Sequence, residues 1–215
     1  TAHLLVRDFV SGRGATAGFL PSLQAELKAV GHSGVGADLV AAGPVPLSTA
    51  GVAGFFWNTS CQTGMAQGDF SGWQGAAAGT TFYSRLNADW GAAAPQAGVN
   101  ADNFTALFTG WVRTRASGLY SFTIDTDDGG FIFVDRRQVL WDNTAHSAGT
   151  QRGGTLVLEG DRLVPFVVGV FECTGSAVMR FYWTPPGEAN QLVPESQLRP
   201  APATLVSYST DAGVS

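Results

Sequence analysis

The sequence predicts an all-β fold, a sandwich or a barrel, on three observations. Short runs rich in aromatic and β-branched residues recur along most of the chain, glycine-rich stretches separate them, and period-two alternation replaces helical spacing once the N-terminal segment is passed. The runs extend from Val52 to Trp57, Phe104 to Arg113, Tyr120 to Asp125, Phe131 to Asp135, Val139 to Trp141, Thr155 to Leu158, Val164 to Phe171 and Val178 to Trp183. Tyr120, Phe122 and Ile124 share one face of their run, the pattern of a half-buried strand. Phe131 to Val134 is apolar on both faces and reads as a central strand. Thr126-Asp127-Asp128-Gly129-Gly130 joins these two runs as a turn.

The N-terminal segment differs. Leu20, Leu23, Leu27 and Val30 recur near helical spacing, with Pro21 at a first turn and Gly31 just past the end, so one short amphipathic helix is expected there. Gly43-Pro44-Val45-Pro46-Leu47-Ser48 follows as a loop, because its two prolines remove backbone donors and fix the local dihedral. The expected organisation is an N-terminal extension over residues 1–48 that packs on a neighbour, a β domain over 51–198, and a linker or edge segment over 199–215.

Composition narrows the function. The 215 residues are 45% hydrophobic and 11% aromatic, enough for a sizeable core, while 13% charged residues is sparse for a soluble domain and fits a secreted or assembled protein. Net charge is −5 and Lys28 is the single lysine, so no basic stripe exists to hold a phosphate backbone; nucleic acid is disfavoured as a partner. No apolar run approaches the roughly 18 residues of a membrane-spanning helix, and direct membrane insertion is not expected. Thr1-Ala2-His3 lacks the order of a signal peptide, so the chain reads as processed or cut from a longer one. Cys61 and Cys173 are far apart and in no metal-ligand spacing, hence either one disulfide or two free thiols. The triplets beginning at Asn58 and Asn103 are glycosylation sequons and fit secretion.

Chemistry concentrates in the turn. Asp125, Asp127 and Asp128 place three acids within four residues of a chain with 17 acids in total, and their repulsion calls for a cation or donors. Calcium suits, since it takes about six to eight hard oxygen ligands in flexible geometry. An EF-hand loop is excluded, because its later ligand positions would fall on the apolar run from Phe131 to Val134. Gly129 and Gly130 are expected to permit the dihedrals of a sharp loop. The alternative is a hairpin turn in which the acids bond nearby amides.

Gly110-Trp111-Val112, Ser117-Gly118-Leu119-Tyr120-Ser121-Phe122, Asp127-Asp128-Gly129 and Val134-Asp135 together resemble the PA-fourteen module of anthrax protective antigen, yeast flocculins and bacterial adhesins. The likeness continues through Leu140-Trp141-Asp142-Asn143, His146, Gly154 to Asp161, Pro165-Phe166 and Arg180 to Pro186, and upstream through Phe55 to Asn58, Asn87 to Gly91 and Asp102 to Thr105. Val6-Arg7-Asp8-Phe9 carries a weaker similarity to the fibro-slime subgroup. The resemblance implies a twisted antiparallel, jelly-roll-like β-sandwich. It also implies calcium on two consecutive aspartates joined by a cis peptide, here Asp127 and Asp128, with a sugar diol replacing water on the metal. A second loop, Glu172 to Ala177, would complete the shell with Glu172, Thr174 and backbone carbonyls, where flocculins offer an asparagine-type ligand. On the same resemblance Gly175, Ser176 and Trp141 join the Asp pair as ligand-binding candidates, and Cys61 bonds to Cys173, bracing the second loop against the domain's start.

His146 reads as a structural loop residue, and no opposed carboxyl pair for glycoside hydrolysis can be placed, so a non-catalytic protein is expected. Trp111 and Trp183 read as core, and Trp73 in its glycine-rich loop as equally suited to core or surface. The function expected is an extracellular, calcium-dependent carbohydrate-binding module of adhesin type within a larger multidomain or multimeric surface assembly, with glycans or surface proteins as partners. The alternatives are a structural module of a surface protein without sugar binding and an accessory domain of a carbohydrate-active enzyme.

Overall fold

A computed structural model of the chain describes residues 50–200 in full, together with the backbone of two strands at 35–41 and 204–210. These two, β1 (Val35–Ala41) and β14 (Thr204–Thr210), pair antiparallel with Val35 opposite Thr210. The helix expected between Leu20 and Val30 and the proline loop from Gly43 to Ser48 lie outside the described residues.

The strands described between them form two antiparallel sheets. The larger runs in the order β3 (Gly79–Tyr83), β2 (Val52–Asn58), β5 (Phe104–Arg113), β10 (Leu163–Glu172), β7 (Gly130–Val134) and β8 (Arg137–Asp142), with β13 (Leu198–Pro200) also on β5. The smaller runs β12 (Gln191–Leu192), β11 (Ala177–Thr184), β6 (Gly118–Asp127) and β9 (Arg152–Leu158), with β4 (Asn87–Gly91) also on β11. The expected runs are all strands; β3, β4, β12 and β13 are additions that sequence reading passed over. β4 is polar, Asn-Ala-Asp-Trp-Gly, and forms by pairing with β11, a contact no local pattern announces.

The inner faces of the two sheets enclose the main core. Alternation on β6 sends Tyr120, Phe122 and Ile124 inward to meet Phe166, Phe181 and Trp183. Each such side chain contributes about 1.5 to 3 kcal/mol on burial. A second apolar cluster lies on the other side of the larger sheet: Phe55, Leu107, Phe131 and Val167 are covered by Met65, Phe70 and Trp73 of the long β2–β3 connection. With both sides of the sheet covered, β2, β7 and β10 are apolar on both faces. That is why Phe131 to Val134 has no alternation.

The chain changes sheet at two poles. At one, the crossings include β5 to β6 and β9 to β10; at the other, they include β6 to β7 and β10 to β11. Register places the second pair of crossings side by side, since Val178 faces Asp127 across β11 and β6, and Val170 faces Gly130 across β10 and β7.

Candidate cation site

At this second pole the peptide between Asp127 and Asp128 is cis. Neither Gly129 nor Gly130 adopts a left-handed φ, so the dihedral freedom expected of them is not what the turn uses. Space is. A Cβ at Gly129 would stand 2.7 Å from the Asp142 carbonyl and from the Phe171 ring, and one at Gly130 only 2.1 Å from the Gly169 carbonyl. The close approach packs the turn against β8 and β10, and Asp128 N–H donates to the Phe171 carbonyl while Phe171 N–H donates to that of Gly129.

This brings Glu172, the last residue of β10, beside the aspartate pair. One carboxylate oxygen each from Asp127, Asp128 and Glu172 lie within 4.8 Å of one another. Glu172 is completely buried, and neither of its oxygens has a hydrogen-bond partner. Burial, reinforced by the charges of Asp128, Asp127 and Asp102, pushes the Glu172 carboxyl up to about 8. Asp127 is raised as well, first by desolvation and then by Asp128, against an opposing hydrogen bond from the Ala148 backbone. A buried carboxylate without donors is costly unless something positive meets it. Three hard oxygen donors converging from two loops fit a calcium ion.

The third acid of the turn is not part of this set. Asp125 accepts from Arg180 Nη1 at 2.9 Å and from Gly149 N–H at 2.6 Å, so its charge is already met, and only Asp127 and Asp128 of the expected cluster face Glu172. Arg180 stands opposite Asp125 across β11 and β6, a register that sequence alone does not reveal.

One connection, between β8 and β9, supplies backbone donors to all three acids: His146 N–H to Asp128 Oδ1 at 3.1 Å, Ala148 to Asp127, and Gly149 to Asp125. It is anchored by Asp142, which meets Arg152 Nη1 at 2.7 Å and His146 Nε2 at 3.0 Å. Burial would raise Asp142, but bonds from Thr144, Arg152 and His146 prevail and hold it at about 2. His146 is thus a loop residue, as expected; its backbone role had no sequence signal.

In the second loop Cys173 N–H donates to Asp128 Oδ2 at 2.8 Å, and Gly175 N–H donates to Asp102 Oδ1 at 3.0 Å. Thr174, Gly175 and Ser176 are exposed at the loop's tip beside the carboxylates. Cys173 forms a disulfide with Cys61. Trp141, expected to bind ligand, packs in the second apolar cluster instead: its ring stacks on Phe131 and meets Phe70 edge-on, with its indole N–H buried. Trp73 is core too, donating to the Ala106 carbonyl. Trp183 is fully buried, whereas Trp111 is half-exposed. Asn58 uses its side chain to hold Gly98 O and Asn100 N–H, while Asn103 is exposed beside the second loop.

A two-sheet antiparallel sandwich with paired acids where two crossings meet is the class of protein these features define. The PA14 domain family matches residues 55–197, and the chain belongs to that family. It is 26% identical over 120 residues to the anti-sigma-I factor RsgI3 of Acetivibrio thermocellus, a match covering 56% of this chain and 18% of that protein. Among solved structures it resembles an anti-sigma factor domain-containing protein, with a TM-score of 0.62 and 23% identity over 72% of this chain and 48% of the other. It also resembles a PA14 sugar-binding domain from an RTX adhesin, with a TM-score of 0.55 and 16% identity over 72% of this chain and all of that one. The chain therefore spans less than a fifth of its curated relative and about half of the first of these structures. No helix among the described residues is long and apolar enough to cross a membrane.

Proposed function

We propose that the chain is a non-catalytic, calcium-dependent carbohydrate-binding module of a larger extracellular or cell-surface protein. The observation that carries this reading is Glu172, a fully buried carboxylate with both oxygens unpartnered, aimed at the Asp127–Asp128 pair. Asp127, Asp128 and Glu172 would hold the ion, with Thr174 at the exposed tip as a further oxygen donor. Bound calcium supplies open coordination positions that two vicinal sugar hydroxyls can fill. The chain's own residues do the rest. Backbone amides of His146 and Cys173 aim the two oxygens of Asp128, and Gly175 and Ser176 form the exposed rim against which a sugar would rest.

Membership of the PA14 family and likeness to a domain named as sugar-binding support the carbohydrate part. The disulfide supports an oxidising compartment, and with it an extracellular site and glycosylation at the exposed Asn103. Adjacent carboxylates held ionised by a metal cannot act as an opposed acid and base, which supports a binding role over hydrolysis. Single sites of this kind bind weakly, and many copies on one surface would supply useful strength.

A second reading draws on the anti-sigma likeness: the same site serves a larger regulatory protein as its sensing module. Calorimetric titration of calcium into wild type and Asp128→Ala, followed by a glycan array with calcium and with chelator, tests the proposal. Calcium bound by wild type alone, and glycans retained only with calcium, are expected; equal calcium binding by both proteins overturns it. Soluble oligosaccharides binding as single molecules without agglutinating coated beads would favour the sensing role.

A further inference from the structure

We infer that the segment over residues 59–78 is a positioning strap for the cation site, fastened by the Cys61–Cys173 disulfide, and that this fastening sets calcium affinity. The inference rests on the calcium reading above. The strap crosses the outer face of the larger sheet and buries Met65, Phe70 and Trp73 there. Trp73 meets Phe131 at 5.1 Å and Phe70 meets Trp141 at 5.3 Å, both edge-on, so the strap is seated as firmly as a core element.

What gives it a role beyond cover is where it is tied. Asp128 is gripped by two amides, one from each neighbouring loop: Cys173 N–H on Oδ2 and His146 N–H on Oδ1. Both loops are fastened to the strap. Cys173 carries the disulfide and directly follows the candidate ligand Glu172. Asn143, three residues before His146, donates from its side-chain Nδ2 to the Met65 carbonyl at 2.9 Å, and its backbone carbonyl accepts Gly64 N–H at 2.7 Å. The strap thus spans the loops that aim Asp128 and fixes their separation. Residues that orient metal ligands without touching the ion tune affinity by holding the donors in place before the ion arrives.

Calcium titrated calorimetrically into the full chain tests this, with near-ultraviolet circular dichroism confirming the folded core of each variant at the titration temperature. The double variant Cys61→Ser/Cys173→Ser and, separately, Asn143→Ala with the disulfide intact are expected to bind calcium about ten- to a hundredfold more weakly than wild type. Gln67→Ala removes the strap's bond to Gln138 and touches neither loop, so it should bind as wild type does. Undiminished affinity in both weakening variants overturns the strap's role, and equal weakening by Gln67→Ala reduces it to general stability. Should the double variant fail to fold, Asn143→Ala carries the test alone. Absence of calcium binding by wild type overturns the calcium reading and this inference with it.

Discussion

The two poles of the sandwich solve the same problem in opposite ways. Each must carry the chain between sheets and satisfy the backbone groups exposed where strands end. At the pole joining β5 to β6 and β9 to β10, charged side chains are paired, Arg113 with Asp161 and Arg115 with Glu188, and hydroxyls meet the backbone: the Tyr120 hydroxyl accepts Arg115 N–H at 3.0 Å and Ala116 N–H at 3.2 Å and donates to the Ala116 carbonyl at 2.8 Å. Thr114 completes it, its hydroxyl donating to the Glu159 carbonyl and accepting Arg162 N–H. The other pole sets three carboxyl groups within 4.8 Å of one another, one of them buried with no hydrogen-bond donor among the described residues. One pole is closed by paired charges and neutral hydroxyls, and the other keeps a buried acid unpartnered.

Four perturbations would break or sharpen this contrast. The largest effect is expected from Cys61→Ser/Cys173→Ser: the disulfide closes a separation of 112 residues, and its loss should lower stability in calcium-free denaturant titrations by up to about 4 to 5 kcal/mol. An unchanged midpoint would mean that the strap's packing alone holds this pole. Next, Glu172→Gln should abolish the stabilisation calcium gives, about 2.7 kcal/mol at a hundredfold excess over Kd in wild type, without lowering stability in chelator. Equal calcium stabilisation of both proteins would remove Glu172 from the site. At the closed pole, Tyr120→Phe should cost about 1 to 3 kcal/mol, the same with calcium or chelator, because it strands two backbone N–H groups. A calcium-dependent cost would show that the poles are coupled.

The last perturbation is pH. Glu172 is raised from 4.5 to about 8, so the folded protein holds this proton more tightly than the unfolded chain does. In chelator its contribution to stability is therefore fullest below about pH 4.5 and is lost as pH rises through about 8; calcium should flatten or reverse that slope. Asp142 has the opposite sign: lowered to about 2 from 3.8, it contributes stability above that range that is lost as pH falls through it. Denaturant midpoints across pH 2 to 9, with and without calcium, would separate the two.

By itself the sequence determined that this is an all-β fold, a sandwich or a barrel, with an acidic turn between two strands. Alternation at Tyr120, Phe122 and Ile124 is a local consequence of the pleat, and the glycines after Asp128 mark the turn whatever surrounds it. The likeness of its motifs to a known family added the sandwich, the Asp pair as candidate metal ligands and Cys61 as the partner of Cys173. Tertiary structure alone decided the rest. Asp125 leaves the cluster because register sets Arg180 opposite it, and Trp141 turns to the outer face of the larger sheet because β8 sits at that sheet's edge under the strap. The amides of His146 and Gly149 reach the acids because the connection between β8 and β9 folds back over the turn. Backbone donors carry no residue signature. Which acid is met from within, and which stays without a donor, follows only from long-range pairing, a property of strands far apart in the chain.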